Sequence, residues 1–224
     1  MKFRHEYKYR INYFDYLILK RRIQLIMDVD PHASESGQYF IRSLYFDNIY
    51  DKALKEKLYG VNNREKFRIR IYNNDFSHIN LEKKSKINSL CNKVSACLSR
   101  EETEKILKGD IEWMIESGDK LVQEFYLKIK NNGLAPKVIV DYTREPYVFK
   151  AGNVRLTFDY NIKTGMYNHD IFDIDMATVP AMDSPILLEV KYDEFIPSVI
   201  KDALQLENRR SGAFSKYAAC RMYG

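Results

Sequence analysis

The sequence predicts an α+β fold: an antiparallel β-barrel tunnel with helices packed on the outside. Three observations lead there. Seven segments read as strands, six of them through two-residue alternation of apolar and polar side chains, bounded by Asn, Gly, Pro or Asp. Between them lie amphipathic helical segments whose apolar stripes need a sheet face to cover. The polar members of the strand alternation are mainly Lys, Arg and Glu. With the helices outside a curled sheet, the apolar strand faces turn outward to meet them and the charged faces line the interior.

The first predicted strand, residues 4–12, alternates Glu6, Lys8 and Arg10 with Tyr7, Tyr9 and Ile11. A helix follows over 14–27, then a strand over 39–47. In the next strand, 65–72, Lys66, Arg68 and Arg70 share one face and Phe67, Ile69 and Ile71 the other. The strand over 80–86 puts Glu82, Lys84 and Lys86 together. Ser99 and Glu102 form a capping box that opens a helix over 99–108. Leu121, Phe125 and Ile129 stack at i, i+4 and i+8 in a helix over 119–130. Strands over 137–144 and 154–160 follow, the second aligning Arg155, Thr157 and Asp159. The strand over 186–192 is more continuously apolar but alternates Glu189 and Lys191 with Leu188 and Val190. Further helices start near Pro197 and Ala213. Long loops cover 28–38, 109–118 and 164–184. No internal repeat or low-complexity linker divides the chain, so one domain spans 1–224.

Composition removes several kinds of function. The 224 residues are 45% hydrophobic and 30% charged, the profile of a folded domain. Nine glycines, with no GxGxxG and no GxxxxGK[ST], exclude the usual Gly-rich phosphate cradles. The four histidines are scattered, without HExxH or cysteine partners at zinc spacing, so neither a zinc site nor a catalytic triad has support. Lys and Arg total 36 against 31 Asp and Glu, a net +5 that admits an anionic partner. No apolar run approaches the roughly 20 residues of a membrane span, so the chain has no span of its own. The absence of an apolar leader and the three cysteines outside any CxxC pair fit a cytoplasmic protein. Lys20-Arg21-Arg22 reads as the solvated face of the first helix before it reads as a nucleic-acid patch; contact with a membrane or a partner protein also fits it. The strand tyrosines read as packing, and Trp113 is assigned no ligand.

Taken singly, each charged strand face reads first as the water side of a half-buried sheet. The interior reading makes a stronger demand. Close-set buried cations need water and a compensating polyanion or metal ion.

Six motifs in order resemble the VTC domain, the polyphosphate polymerase branch of the CYTH or triphosphate tunnel metalloenzyme superfamily. They are Arg4-His5-Glu6-Tyr7-Lys8-Tyr9, Arg42-Ser43-Leu44-Tyr45-Phe46-Asp47, the run from Gly60 to Tyr72, Leu81-Glu82-Lys83-Lys84-Ser85-Lys86, Leu187-Leu188-Glu189-Val190-Lys191-Tyr192 and Phe214-Ser215-Lys216-Tyr217. The resemblance implies strands closed into a tunnel, and transfer of the ATP γ-phosphoryl group onto a growing polyphosphate chain with Mn²⁺ or Mg²⁺ as cofactor. It makes ATP and inorganic polyphosphate the partners, with no nucleic acid. Carried over residue by residue, it implies Lys8, Arg68, Arg70, Lys84, Arg155, Lys191 and Lys216 as catalytic phosphate ligands. Lys93, Tyr142, Arg144 and Ser215 would bind substrate; Lys93 lies in the loosely aligned stretch from Lys86. Glu189 matches the metal-binding glutamate, with Glu6 and Glu82 as further acidic groups. A plain salt bridge between Glu189 and Lys191 or a neighbour is the competing reading.

The residue types suit this chemistry. Phosphoryl transfer asks for aligned oxygens and neutralised charge, which fixed Arg and Lys with one hard cation supply. Arginine grips phosphate oxygens with two parallel bonds, whereas lysine is an adjustable point charge on which a chain can slide. The eukaryotic polymerases of the family add a regulatory domain and transmembrane helices that are not read here, which leaves room for a membrane-protein partner. A tunnel triphosphatase with water as acceptor and a non-catalytic polyphosphate-binding module stay open as alternatives.

Overall fold

The computed structural model describes residues 4–88, 90–181, 185–206 and 209–222. Eight long strands carry the predicted alternation: β1 (His5–Ile11), β2 (Tyr39–Asp47), β3 (Arg64–Tyr72), β4 (Asp75–Ile87), β5 (Leu90–Leu98), β6 (Ala135–Phe149), β7 (Val154–Thr164) and β8 (Ile186–Tyr192). They pair antiparallel throughout, in the order β1-β8-β7-β6-β2-β3-β4-β5. Two-residue strands, Asp28–Val29 on β6 and Val179–Pro180 on β7, complete the sheet. It curls until its edge strands meet at one bridge, where the Arg4 amide donates to the Cys91 carbonyl at 3.3 Å. Beyond that bridge the inner face of β5 is open, with Lys93, Ser95 and Cys97 exposed. Among the described residues this bridge is the backbone link across the seam, and the exposed side chains beside it meet water.

Local chemistry explains the turns and caps. Asn73 and Asn74 both adopt the left-handed conformation, φ 51° and 55°, which makes the two-residue hairpin between β3 and β4. Helix α1 (Tyr13–Gln24) opens with Asn12 and Asp15 in a capping box, and α3 (Arg100–Lys108) with Ser99 and Glu102 in the predicted one. Helix α4 (Lys120–Asn132) is capped by Asp119 and ends at Gly133, φ 66°. The short α2 (Lys52–Leu58), α5 (Ser198–Ala203) and α6 (Lys216–Met222) complete the set. Among the described residues no helix is long and apolar enough to cross a membrane.

Three apolar clusters bind these layers. Phe67, Ile69, Ile79 and Leu81 on the outer face of β3 and β4 meet Ile106 of α3 and Leu121, Val122 and Phe125 of α4. Leu156, Phe158, Leu188 and Val190 on the outer face of β7 and β8 meet Leu19 and Ile23 of α1 and Ile200 of α5. Each fully buried side chain of this kind contributes about 1.5–3 kcal/mol. The third cluster lies inside: Ile41, Tyr45, Val140, Tyr142 and Leu187 receive Tyr217 and Cys220 of α6. Tyr217 stacks on Tyr45 with ring centres 5.0 Å apart and donates to Asp47 Oδ2 at 2.6 Å. So α1, α3, α4 and α5 pack outside as predicted, while α6 fills part of the interior.

Candidate functional site

Cross-strand register sets opposite charges against each other on the inner face. Glu6 faces Lys191 and Lys8 faces Glu189 between β1 and β8; Arg144 faces Asp159 between β6 and β7; Arg68 faces Glu82 between β3 and β4. Each is a direct pair whose side chains leave the sheet on one side. Lys66 faces Lys84, a pairing of like charge.

The side chains interlock from there. Lys84 Nζ donates to both oxygens of Glu6 at 3.0 Å. Lys191 lies 3.5 Å from Glu6 and 3.3 Å from Glu189. Lys8 lies 3.3 Å from Glu189 and donates to the Phe214 carbonyl at 3.2 Å. Lys216 holds Asp159 at 2.5 Å and Glu189 at 3.1 Å. Arg144 grips both oxygens of Asp159 at 2.6 and 2.7 Å. Arg68 holds Glu82 Oε2 through Nε at 2.7 Å and donates to the Tyr45 hydroxyl at 2.7 Å. Arg70 donates to Ser43 Oγ at 2.9 Å and the Tyr142 hydroxyl at 3.1 Å. The α6 N-terminus is fixed by Ser215, whose Oγ accepts from the Ala218 amide at 3.3 Å.

These groups surround a cavity of about 70 Å³ lined by Lys8, Arg68, Arg70, Lys84, Tyr142, Arg144, Glu189, Lys191, Ser215 and Lys216, together with Lys66 and Tyr45. All but the last two are sequence-predicted site residues. Glu6 sits at the edge of this cavity, in the groove of about 140 Å³ that forms its mouth. Glu82 lies behind Arg68, with Oε1 taken by Lys93 at 2.9 Å and Oε2 by Arg68. Lys93 reaches it from the open seam. Arg155 does not join the cavity: its Nη2 is held by Asp30 at 2.8 Å and by the Tyr39 hydroxyl at 2.9 Å.

Charge tunes the groups further. Burial opposes the charge of Glu189, but Lys216, Lys8, Lys191 and Arg144 hold its carboxyl well below the usual range. Glu6 is likewise lowered against its own burial by Lys8, Lys84 and Lys191, and Glu82 by Arg68, Arg70 and Lys93. Burial pulls the Lys66 ammonium down to about 7; Tyr45 opposes the fall, while Lys84, Arg68 and Lys8 deepen it. Burial works to raise the Tyr45 phenol, yet Arg68, Lys66 and Arg70 bring it down to about 7. Lys191 falls to about 8 through burial, which Glu189 and Glu6 only partly offset.

Sequence reasoning missed Lys66, Tyr45 and the mouth residues Lys57, Arg64 and Lys86 as site groups. Lys66 stands in the same alternating run as Arg68 and Arg70, so its signal was present. Tyr45 reads as strand packing until its hydroxyl is seen on Arg68. Lys57 lies on α2, at the mouth beside Arg64 and Lys86.

Among the described residues no group of three or more His, Cys, Asp or Glu is poised around one point. Glu189 and Glu6, linked through Lys8 and Lys191, are the carboxylates with cavity access, and both face cations. A hard cation of six oxygen ligands fits there only if water and phosphate oxygens supply most of its shell.

A curled antiparallel sheet with an interior of interlocked cations and carboxylates defines the triphosphate tunnel class of fold. Within it, the VTC domain matches residues 3–223, and the chain belongs to that family. A candidate adenylyl cyclase from Hippeastrum, with a dominant triphosphatase activity, superposes with a TM-score of 0.59 at 13% identity, covering 100% of this chain and 96% of that one. A candidate adenylate cyclase from Bacillus halodurans gives 0.51 at 16% identity, covering 85% and 80%. Both likenesses are of fold. No curated protein matches the chain.

Proposed function

We propose that the protein is a metal-dependent polyphosphate polymerase, a single cytoplasmic domain that transfers the ATP γ-phosphoryl group onto a polyphosphate chain inside the barrel. The convergence of Lys8, Arg68, Arg70, Lys84, Lys191 and Lys216 on one cavity carries this reading. A terminal phosphate oxygen of the chain attacks Pγ, the bond from Pγ to the β–γ bridging oxygen breaks, and ADP leaves with that oxygen. No protein nucleophile takes part, so the residues act by alignment and charge. Arg70, set by Ser43 and Tyr142, and Arg68, set by Tyr45 and Glu82, offer fixed forks to phosphate oxygens. Lys8, Lys84, Lys191 and Lys216 exchange a carboxylate for phosphate as the polyanion enters. Arg144, on the cavity wall, holds Asp159, and Lys93 holds Glu82 from behind. Arg155 is left out of this set. Glu189, with Glu6, would hold Mn²⁺ or Mg²⁺ together with water and phosphate oxygens. That ion supplies neutralisation of the γ-phosphoryl charge as the group moves.

The open seam along β5 favours a second reading, hydrolysis of triphosphate with water as acceptor. Incubation with ATP and Mn²⁺, followed by separation of ADP, orthophosphate and long-chain polyphosphate, distinguishes them. Polymerase activity yields ADP matched by polymer; orthophosphate without polymer supports the triphosphatase.

A further inference from the structure

Helix α1 is apolar on two faces. One face, Tyr16, Leu19 and Ile23, is buried on β1, β7 and β8. The other carries Phe14, Leu17 and Ile18 and, just past the last turn, Leu25, with exposures of 74%, 39%, 46% and 85%. A surface helix ordinarily gives its outer face to charged and polar side chains, and a contiguous exposed apolar strip marks a contact surface. At 3.6 residues per turn, positions 14, 18, 21 and 25 fall in one row with 17 beside them, so Arg21 lies within the strip and Arg22 on its flank. Arg21 and Arg22 are both exposed, Arg22 while donating to the Gln205 carbonyl at 2.9 Å. Among the described residues no carboxylate forms an ion pair with either. Asp15, the acid of this helix, accepts from the Asn12 amide and is clasped by Arg209 at 2.6 Å. Lys20 turns the other way, to Glu145.

We propose that this face of α1 is a membrane-surface contact for a bilayer rich in anionic lipid. Phe14, Leu17, Ile18 and Leu25 enter the boundary between headgroups and acyl chains, and Arg21 and Arg22 meet the lipid phosphates. The charge selects this occupant. A second copy paired through this strip would bury Arg21 in an apolar interface whose own residues, Phe14, Leu17, Ile18 and Leu25, offer it no carboxylate. The proposal stands apart from the reaction assigned to the barrel.

Flotation with vesicles of phosphatidylcholine alone, and of phosphatidylcholine with phosphatidylserine, tests it at physiological salt. The protein is expected to float with the anionic vesicles and not with the neutral ones. Arg21→Gln with Arg22→Gln should weaken that binding about 25-fold, from roughly fivefold per surface arginine. Phe14→Ser, Leu17→Ser and Ile18→Ser together should abolish it while leaving the thermal transition near the parent's. Anionic binding that survives the triple serine variant would overturn the proposal, because the cations of the barrel mouth would then be the lipid contact. So would failure of the parent to float. A concentration-dependent dimer lost in the triple variant would overturn it in favour of a second copy.

Discussion

Inside the barrel, Lys84, Lys216, Arg68 and Arg144 each hold a carboxylate within 3.1 Å. At its mouth Lys57, Arg64 and Lys86 hold none among the described residues, and burial together with Arg64, Lys8 and Lys86 lowers the Lys57 ammonium. The difference separates two ways of meeting a polyanion. Interior cations are stabilised by their own counter-ions, which a buried charge requires, so in the proposed reaction phosphate would enter by displacing Glu6 and Glu189 from lysines. That exchange contributes little net Coulombic energy but fixes the oxygens in place. The mouth gains neutralisation outright, is open to water, and is screened by salt. Precision belongs to the interior and attraction to the mouth.

The largest effects should separate cations from carboxylate within the interior. Arg70→Ala should lower ATP turnover about 10²–10³-fold and weaken polyphosphate binding with it, because a fixed charge-stabilising donor is lost in ground and transition states alike. Lys at position 70 should rescue little, since an ammonium cannot reproduce the planar fork. Glu189→Gln should lower turnover by about 10²-fold while binding survives, as Lys8, Lys191 and Lys216 are freed for phosphate. Parallel turnover and binding measurements check this; Glu189→Gln turning over at the parent rate would make the glutamate a salt-bridge partner alone.

Titration gives an intermediate effect at the boundary of the two regions. Lys66 and Lys191, lowered to about 7 and about 8, are charged below those values and neutral above them. Under the proposed function polyphosphate would bind the charged forms, so affinity should be highest near pH 6 and fall about tenfold or more by pH 9. Lys66→Arg keeps its charge across that window and should remove the lower step of a calorimetric binding profile. The smallest effect belongs to the mouth. Lys57→Ala and Lys86→Ala should each weaken polyphosphate binding about two- to fivefold and flatten its salt dependence, with ATP turnover near the parent value.

Much of this was legible in the sequence where one strand face is large and apolar. Phe67, Ile69 and Ile71 declare the outer face of β3, and so place Arg68 and Arg70 inside. Strand β5 hid because its outward residues Asn92, Val94, Ala96 and Leu98 are small or mixed, leaving little amplitude in the alternation. Helix α2 hid because its cap is displaced. Asp47 and Asn48, not Asp51, accept the amides of Lys52, Ala53 and Leu54. Which cations are paired was beyond local reading, because it depends on register: a slip of one residue between β1 and β8 would undo the pairs Glu6–Lys191 and Lys8–Glu189. Helix α6, placed inside the barrel by Tyr217 on Tyr45 and Asp47, rests on contacts across 170 residues of chain.

The displacement of carboxylates by phosphate is the centre of this account, and a crystal structure with bound tripolyphosphate tests it directly. The account predicts phosphate oxygens on Arg68, Arg70, Lys84, Lys191 and Lys216, with Glu6 and Glu189 drawn away from their lysines. Tripolyphosphate seated outside the barrel, with the Lys84–Glu6 and Lys216–Glu189 pairs intact, would contradict it.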